Sequence, residues 1–159
     1  AIKKLRLPAF RIMNKRVADK IQPLGFRSRQ CEIETTILPG ATTVSGIRIA
    51  AGLGHELEIG YDAWKGVLYL DRRKTTIQDF NPAFARLHIA EVPVELQDGK
   101  LKLHLFFDNS IIEVFLNDGE KVCTMQIFSG PREDQFHLFS RGGETKFLYF
   151  EAWPLRSAW

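Results

Sequence analysis

The stretch Leu101–Phe128, LKLHLFFDNSIIEVFLNDGEKVCTMQIF, decides the fold. Three short apolar runs are separated by two polar breaks, Asp108-Asn109-Ser110 and Asn117-Asp118-Gly119-Glu120. Asp118-Gly119 is a hairpin signal, because glycine accepts the positive φ that a tight type I′ turn requires. The stretch therefore predicts three antiparallel strands in succession. In the middle one, Ile111, Glu113 and Phe115 share one face and Ile112, Val114 and Leu116 the other, since strand side chains alternate. Both faces are largely apolar, so the strand is expected to be covered, and Glu113 to need a partner.

Outward from this core the same alternation recurs. On the N-terminal side, Asp98-Gly99 turns the chain, and Val92-Pro93-Val94 reads as an edge strand because proline cannot donate to a ladder. Arg86–Ala90 is a candidate strand. Thr75–Leu87 reads as a longer connection with Asn81-Pro82 and room for a helical turn. Leu57, Ile59 and Tyr61 alternate with Glu56, Glu58 and Asp62, and Trp64-Lys65-Gly66 turns into the strand Val67–Asp71. Gln30–Leu38, ended by Pro39-Gly40, and Val44–Ala51, ended by Gly52–Gly54, are two further strands. On the C-terminal side, Phe136–Phe139 and Lys146–Trp153 read as a hairpin around Arg141-Gly142-Gly143-Glu144. About ten short strands at this spacing, with no sustained helical period, imply an all-β sandwich or barrel.

Length and composition agree with a single globular domain. The chain has 159 residues, 45% hydrophobic and 26% charged, enough to bury a core without metal or disulfide support. No run has the length of a membrane-spanning helix, and the first residues lack the apolar segment of a secretory leader. Cys31 and Cys123 lie far apart and read as two buried free thiols rather than a disulfide.

Charge is unevenly spread. Residues 1–29 carry a net +8 and the remainder −5. A basic arm can bind nucleic acid, yet this one lacks aromatic interleaving or a nucleic-acid motif. It reads as a connecting segment with one short strand or turn near Arg16–Ile21, ahead of a domain at 30–159.

Phosphate loops, nucleophile elbows and HExxH-type metal motifs are missing, and His55, His88, His104 and His137 have no metal-ligand spacing. Neither a cofactor nor a metal is expected. Asp71, Asp108 and Glu113 are the carboxylates to test, since a pair of carboxylates can hydrolyse glycosides. Three readings stay open for them: catalysis, ion pairing with Arg72 or Arg73, and joint gripping of sugar hydroxyls by arginine and carboxylate. Trp64 or Tyr61 would add an apolar platform, or act as a lid on the core.

At these residues the chain resembles a known family. Gly60-Tyr61-Asp62, then Leu68-Tyr69-Leu70-Asp71-Arg72-Arg73, then Leu103–Gly119 and Met125-Gln126-Ile127-Phe128 are similar to the C-terminal domain of glycoside hydrolase family 32, the β-fructofuranosidases. The resemblance covers residues 30–155. It implies a two-sheet antiparallel β-sandwich of the lectin-like jelly-roll type, following a five-bladed β-propeller that carries the catalysis. The propeller's Asn-Asp-Pro-Asn, Arg-Asp-Pro and Glu-Cys motifs do not occur here: Cys31-Glu32 is reversed, and Arg132-Glu133-Asp134 lacks the proline. Inactivity in isolation is therefore expected, with the propeller as partner, no nucleic acid and no membrane. By the same resemblance the parent would act outside the cell or at its surface. Related sandwich modules bind β-fructans through acidic and arginine side chains, which makes Asp71, Arg72, Asp108 and Glu113 the positions to suspect. Glu113 is expected to be held by an arginine, Arg72 first.

Overall fold

The structure is a computed structural model that describes residues 2–75 and 88–157. Its strands, in chain order, are β1 (Phe10–Ala18), β2 (Ile21–Arg27), β3 (Gln30–Leu38), β4 (Val44–Gly52), β5 (His55–Asp62) and β6 (Val67–Asp71). They continue as β7 (Ile89–Pro93), β8 (Leu101–Asp108), β9 (Ile111–Leu116), β10 (Lys121–Gln126), β11 (Gln135–Arg141) and β12 (Glu144–Pro154). Two six-stranded sheets form, with orders β1-β12-β3-β8-β9-β10 and β2-β11-β4-β5-β6-β7, and every neighbouring pair is antiparallel. The expected sandwich is present. The connection containing Asn81-Pro82 lies outside the described residues, as does most of the candidate strand Arg86–Ala90.

Alternation places the core. Leu101, Leu103, Leu105 and Phe107 of β8 and Ile112, Val114 and Leu116 of β9 point inward against Leu57 and Ile59 of β5 and Leu68 and Leu70 of β6. Each such side chain contributes about 1.5–3 kcal/mol when removed from water. The outward residues of the same strands, His104, Phe106, Glu113 and Phe115, line the opposite face of the first sheet.

Two expectations are corrected. Residues 10–27 are not a connection with one short strand. They are β1 and β2, the outermost strands of the two sheets. Two of the basic residues of β1 meet acids of its neighbour: Arg11 pairs with Glu151 and Arg16 with Glu144. The charge imbalance read from the sequence is thus partly cancelled across one ladder. Secondly, β11 and β12 do not pair as a hairpin. The turn Gly142-Gly143 carries the chain from one sheet to the other, and both glycines have positive φ, 79° and 148°. Asp19, in the equally sheet-crossing turn between β1 and β2, accepts the Gly142 and Gly143 amides at 2.5 and 3.3 Å. Proline 93 ends β7, the edge strand of the second sheet, as its missing amide requires. Cys31 and Cys123 are both buried free thiols.

Candidate functional site

The outer face of the second sheet is built around Glu58. In the β4–β5 ladder Arg48 stands opposite Glu58, and Gly46 stands opposite Gly60. Gly60 is opposite Tyr69 of β6, and a Cβ on Gly60 would meet the Tyr69 hydroxyl at 2.5 Å. The bare backbone lets the phenol lie across the strand and donate to Glu58 Oε2 at 2.5 Å. Arg48 Nε donates to Glu58 at 3.0 Å, and Arg141 adds Nη1 and Nη2 at 3.1 and 2.9 Å. Burial pushes the Glu58 carboxyl up, but the hydrogen bonds from Arg141 and Tyr69 and the charges of Arg141 and Arg48 outweigh it, leaving it at about 2. Burial, reinforced by the bond to Glu58, raises the Tyr69 phenol. Both guanidinium groups lie over the buried Phe139 ring, 5.5 and 4.8 Å from its centre.

Asp71 borders this cluster. Its carboxylate takes Arg73 Nε at 3.0 and 3.1 Å and Nη2 at 2.7 Å. With Arg48, Glu56, Glu58 and Arg141, the Asp71–Arg73 pair lines a depression of about 220 Å³. Every carboxylate in it is matched by a cation, Glu56 by Arg48 and Lys74 at 3.5 and 3.7 Å.

Arg72 has a different place. It is buried at the edge of the sandwich, where Nη1 donates to the Gln126 carbonyl of β10 at 2.7 Å. The residue thus joins the second sheet to the first. Desolvation lowers its pKa. Nearby, Lys121 of β10 donates to the Pro93 carbonyl of β7, a second link across the same edge.

The outer face of the first sheet holds the other two suspected residues. Asp108 is exposed at the end of β8 and accepts from Asn109 Nδ2 at 3.1 Å. Glu113 is exposed on β9, opposite Phe106, with no hydrogen bond or ion pair among the described residues. The expected Arg72–Glu113 pair does not form. Only the inner face of β9 is covered, so Glu113 keeps its water and needs no guanidinium. Asp108 and Glu113 share a depression of about 480 Å³ with Phe106, Phe115, Ile2 and Leu155. The rings of His104, Phe106 and Phe115 pack together, with centres 4.6 to 6.2 Å apart.

Beside them is a buried pair that the sequence reading missed. Arg6 reaches Glu32, 1% exposed, with Nε and Nη2 at 2.8 and 2.7 Å. His104 Nε2 lies 2.8 Å from the same carboxylate. Burial raises the Glu32 carboxyl, and the bonds from Arg6 and His104 more than reverse this. Glu32, Glu34 and His104 bring ligand atoms within 4.8 Å of one another, but the Arg6 cation already fills the position between the carboxylates. One of the two missed clusters had a sequence signal. Gly60 inside an otherwise regular strand marks a close approach, here by Tyr69. Glu32 gave no such signal, because it alternates with Ile33 like the outward polar residues Glu34 and Thr36 of the same strand.

Asp71 and Arg72 therefore lie on the second sheet and its edge, and Asp108 and Glu113 on the outer face of the first. The sequence profile of the C-terminal domain of glycosyl hydrolases family 32 matches residues 1–154. The chain belongs to this family. Family 32 relatives include a levanase of Bacillus sp. (strain L7), 33% identical over 138 residues, and a levanase of Bacillus subtilis (strain 168), 31% identical over 126. These alignments cover 85% and 79% of this chain but 15% and 18% of the two levanases, so the chain spans under a fifth of their length. The crystal structure of exo-inulinase from Aspergillus awamori superposes over 100% of this chain and 32% of its own, with TM-score 0.88 and 22% identity. Fructan 1-exohydrolase IIa from Cichorium intybus gives a TM-score of 0.81 at 17% identity. At those identities the two structures establish the sandwich fold alone.

Proposed function

We propose that this chain is the non-catalytic C-terminal β-sandwich of a fructan- or sucrose-hydrolysing enzyme, packed against a catalytic β-propeller of the same protein. The observation that carries the proposal is the match to a C-terminal family profile by a chain spanning 15% and 18% of two levanases. The state of the carboxylates supports the non-catalytic half. A glycosidase acid needs a raised pKa in a sheltered site. Glu32 and Glu58 are instead shifted downward by arginines, and Asp108 and Glu113 stand in water. The aromatic row His104, Phe106 and Phe115 supports packing, because it offers a domain-sized partner an apolar outer face. Assayed on sucrose, inulin and levan, the chain releases no fructose; turnover would overturn this reading. Added to the separately produced catalytic domain, it raises that domain's melting temperature; an unchanged melting temperature would overturn the packing.

A second reading, recognition of β-fructan, is favoured by the open carboxylates of Asp108 and Glu113 beside Phe106 and Phe115. They leave acceptors free beside an aromatic wall, as sugar sites require. Asp71 and Arg72 would act only at a separate surface. In calorimetry with levan and inulin, Asp108→Asn and Glu113→Gln weaken binding under this reading, and equal heats for both variants and the parent would exclude it.

A further inference from the structure

One depression differs in kind from the others described. It lies at the end of the sandwich where the β3–β4 loop meets the β5–β6 turn, and measures about 360 Å³. Its lining is Gly40, Ala41, Thr42, Thr43, Ala63 and Trp64. None of these carries a charge. Each of the other described depressions contains acidic and basic side chains.

Trp64 is 89% exposed, so it is neither core nor lid; Tyr61, the other aromatic candidate, is in the core at 8%. Its backbone is nevertheless fixed. Asp62 Oδ1 accepts the amides of Trp64 and Lys65 at 3.0 and 3.1 Å. The Gly66 amide donates to the Asp62 carbonyl at 2.9 Å, and the Ala63 amide donates to the Thr43 carbonyl at 3.0 Å. The turn is thereby tied to the opposite wall. Thr42 Oγ1 is engaged by Thr145 at 2.9 Å and forms a settled floor. The Thr43 hydroxyl, the amides of Gly40 and Ala41 and the indole N–H have no bond among the described residues.

A flat apolar ring, a few unengaged polar groups and no fixed charge match a neutral polyhydroxylated ligand. The lining itself supplies no counter-charge for an ion. We infer that Trp64 is the platform of a carbohydrate subsite, stacking the C–H face of one sugar ring of a neutral oligosaccharide while Thr43 bonds a ring hydroxyl. The choice of a fructan as that oligosaccharide rests on the function proposed above; the site itself does not.

Calorimetric titration of the 159-residue chain with sucrose and with inulin, levan, glucan and mannan oligosaccharides tests it. At least one binds saturably. Trp64→Ala weakens that binding about tenfold or more, Thr43→Val several-fold, and Trp64→Tyr restores part of the loss. Melting curves confirm that the exposed substitutions leave the fold intact. Absence of binding to every sugar, or fructan binding undiminished in Trp64→Ala, overturns the inference, and the latter leaves the fructan reading standing. Trp64-dependent binding confined to glucan or mannan keeps the subsite and removes the fructan reading.

Discussion

Arg6 holds Glu32 from outside the sheet: the edge of the guanidinium gives two hydrogen bonds of 2.8 and 2.7 Å, and its face lies over the Trp153 ring, 3.8 Å from the ring centre. The carboxylate is buried and depends on this one arginine for most of its compensation. Arg6→Ala should destabilise the domain by about 2–4 kcal/mol, because it strands a buried charge. Arg6→Lys should recover only part, since an ammonium cannot form the two-pronged bond. Glu32→Gln, which removes the charge, should cost less than Arg6→Ala. Urea unfolding of the three variants gives the order.

Glu58 predicts a pH dependence. Its carboxyl titrates at about 2 in the folded chain, against 4.5 ordinarily. The stabilisation is fully present above pH 4.5 and is lost as pH falls toward 2, because the unfolded chain takes up the proton first. Its full size is about 3 kcal/mol at most. Glu58→Gln should flatten the stability profile between pH 2 and pH 5 while lowering stability at pH 7, measured by denaturant unfolding across that range.

Two glycines on the same ladder should respond differently to alanine. At Gly60 the new methyl meets the far end of Tyr69, which can swing away and lose its bond to Glu58. A loss of about 1–2 kcal/mol is expected, with the tyrosine becoming easier to ionise. At Gly46 the methyl falls on the Ile59 backbone, which cannot yield without breaking the β4–β5 ladder. Gly46→Ala should lose about 3 kcal/mol or more. Thermal melts and a spectrophotometric tyrosine titration separate the two.

Burial pushes the Cys31 thiol up to about 12, and burial also raises Cys123. Native protein at pH 8 should therefore resist thiol-specific reagents, while unfolded protein should label twice. Rapid labelling of one thiol in the native state would contradict the burial described.

Much of this fold is written locally. Leu57, Ile59 and Tyr61 point inward as their alternation demands, and Asp118-Gly119 turns β9 into β10. What escaped a local reading is instructive. In β1 the alternation is interrupted at Asn14, with φ of 51°, and only a few of its side chains are covered. A partly wet edge strand has little apolar period to show. β11 and β12 resemble a hairpin because a sheet-crossing turn uses the same glycines as a strand-pairing one. The four suspected site residues were legible as unusual, but their grouping was not. Asp71 chose the adjacent Arg73, Arg72 chose a carbonyl on the opposite sheet, and Glu113 faced solvent. An apolar outer neighbour such as Phe115 looks in sequence like a core residue.

The pairing of β1 with β12 brings together residues such as Arg11 and Glu151, which are 140 positions apart. Closing so long a loop is entropically demanding, and contacts of this range slow folding. During synthesis β1 must wait, unpaired, until nearly the whole domain has emerged from the ribosome. Its charged outward side chains, Arg11 and Arg16, then act as guards against premature pairing with other chains. The strand that zips β1 into place is β12, the last of the sandwich, so closure of the first sheet waits on the strands between them.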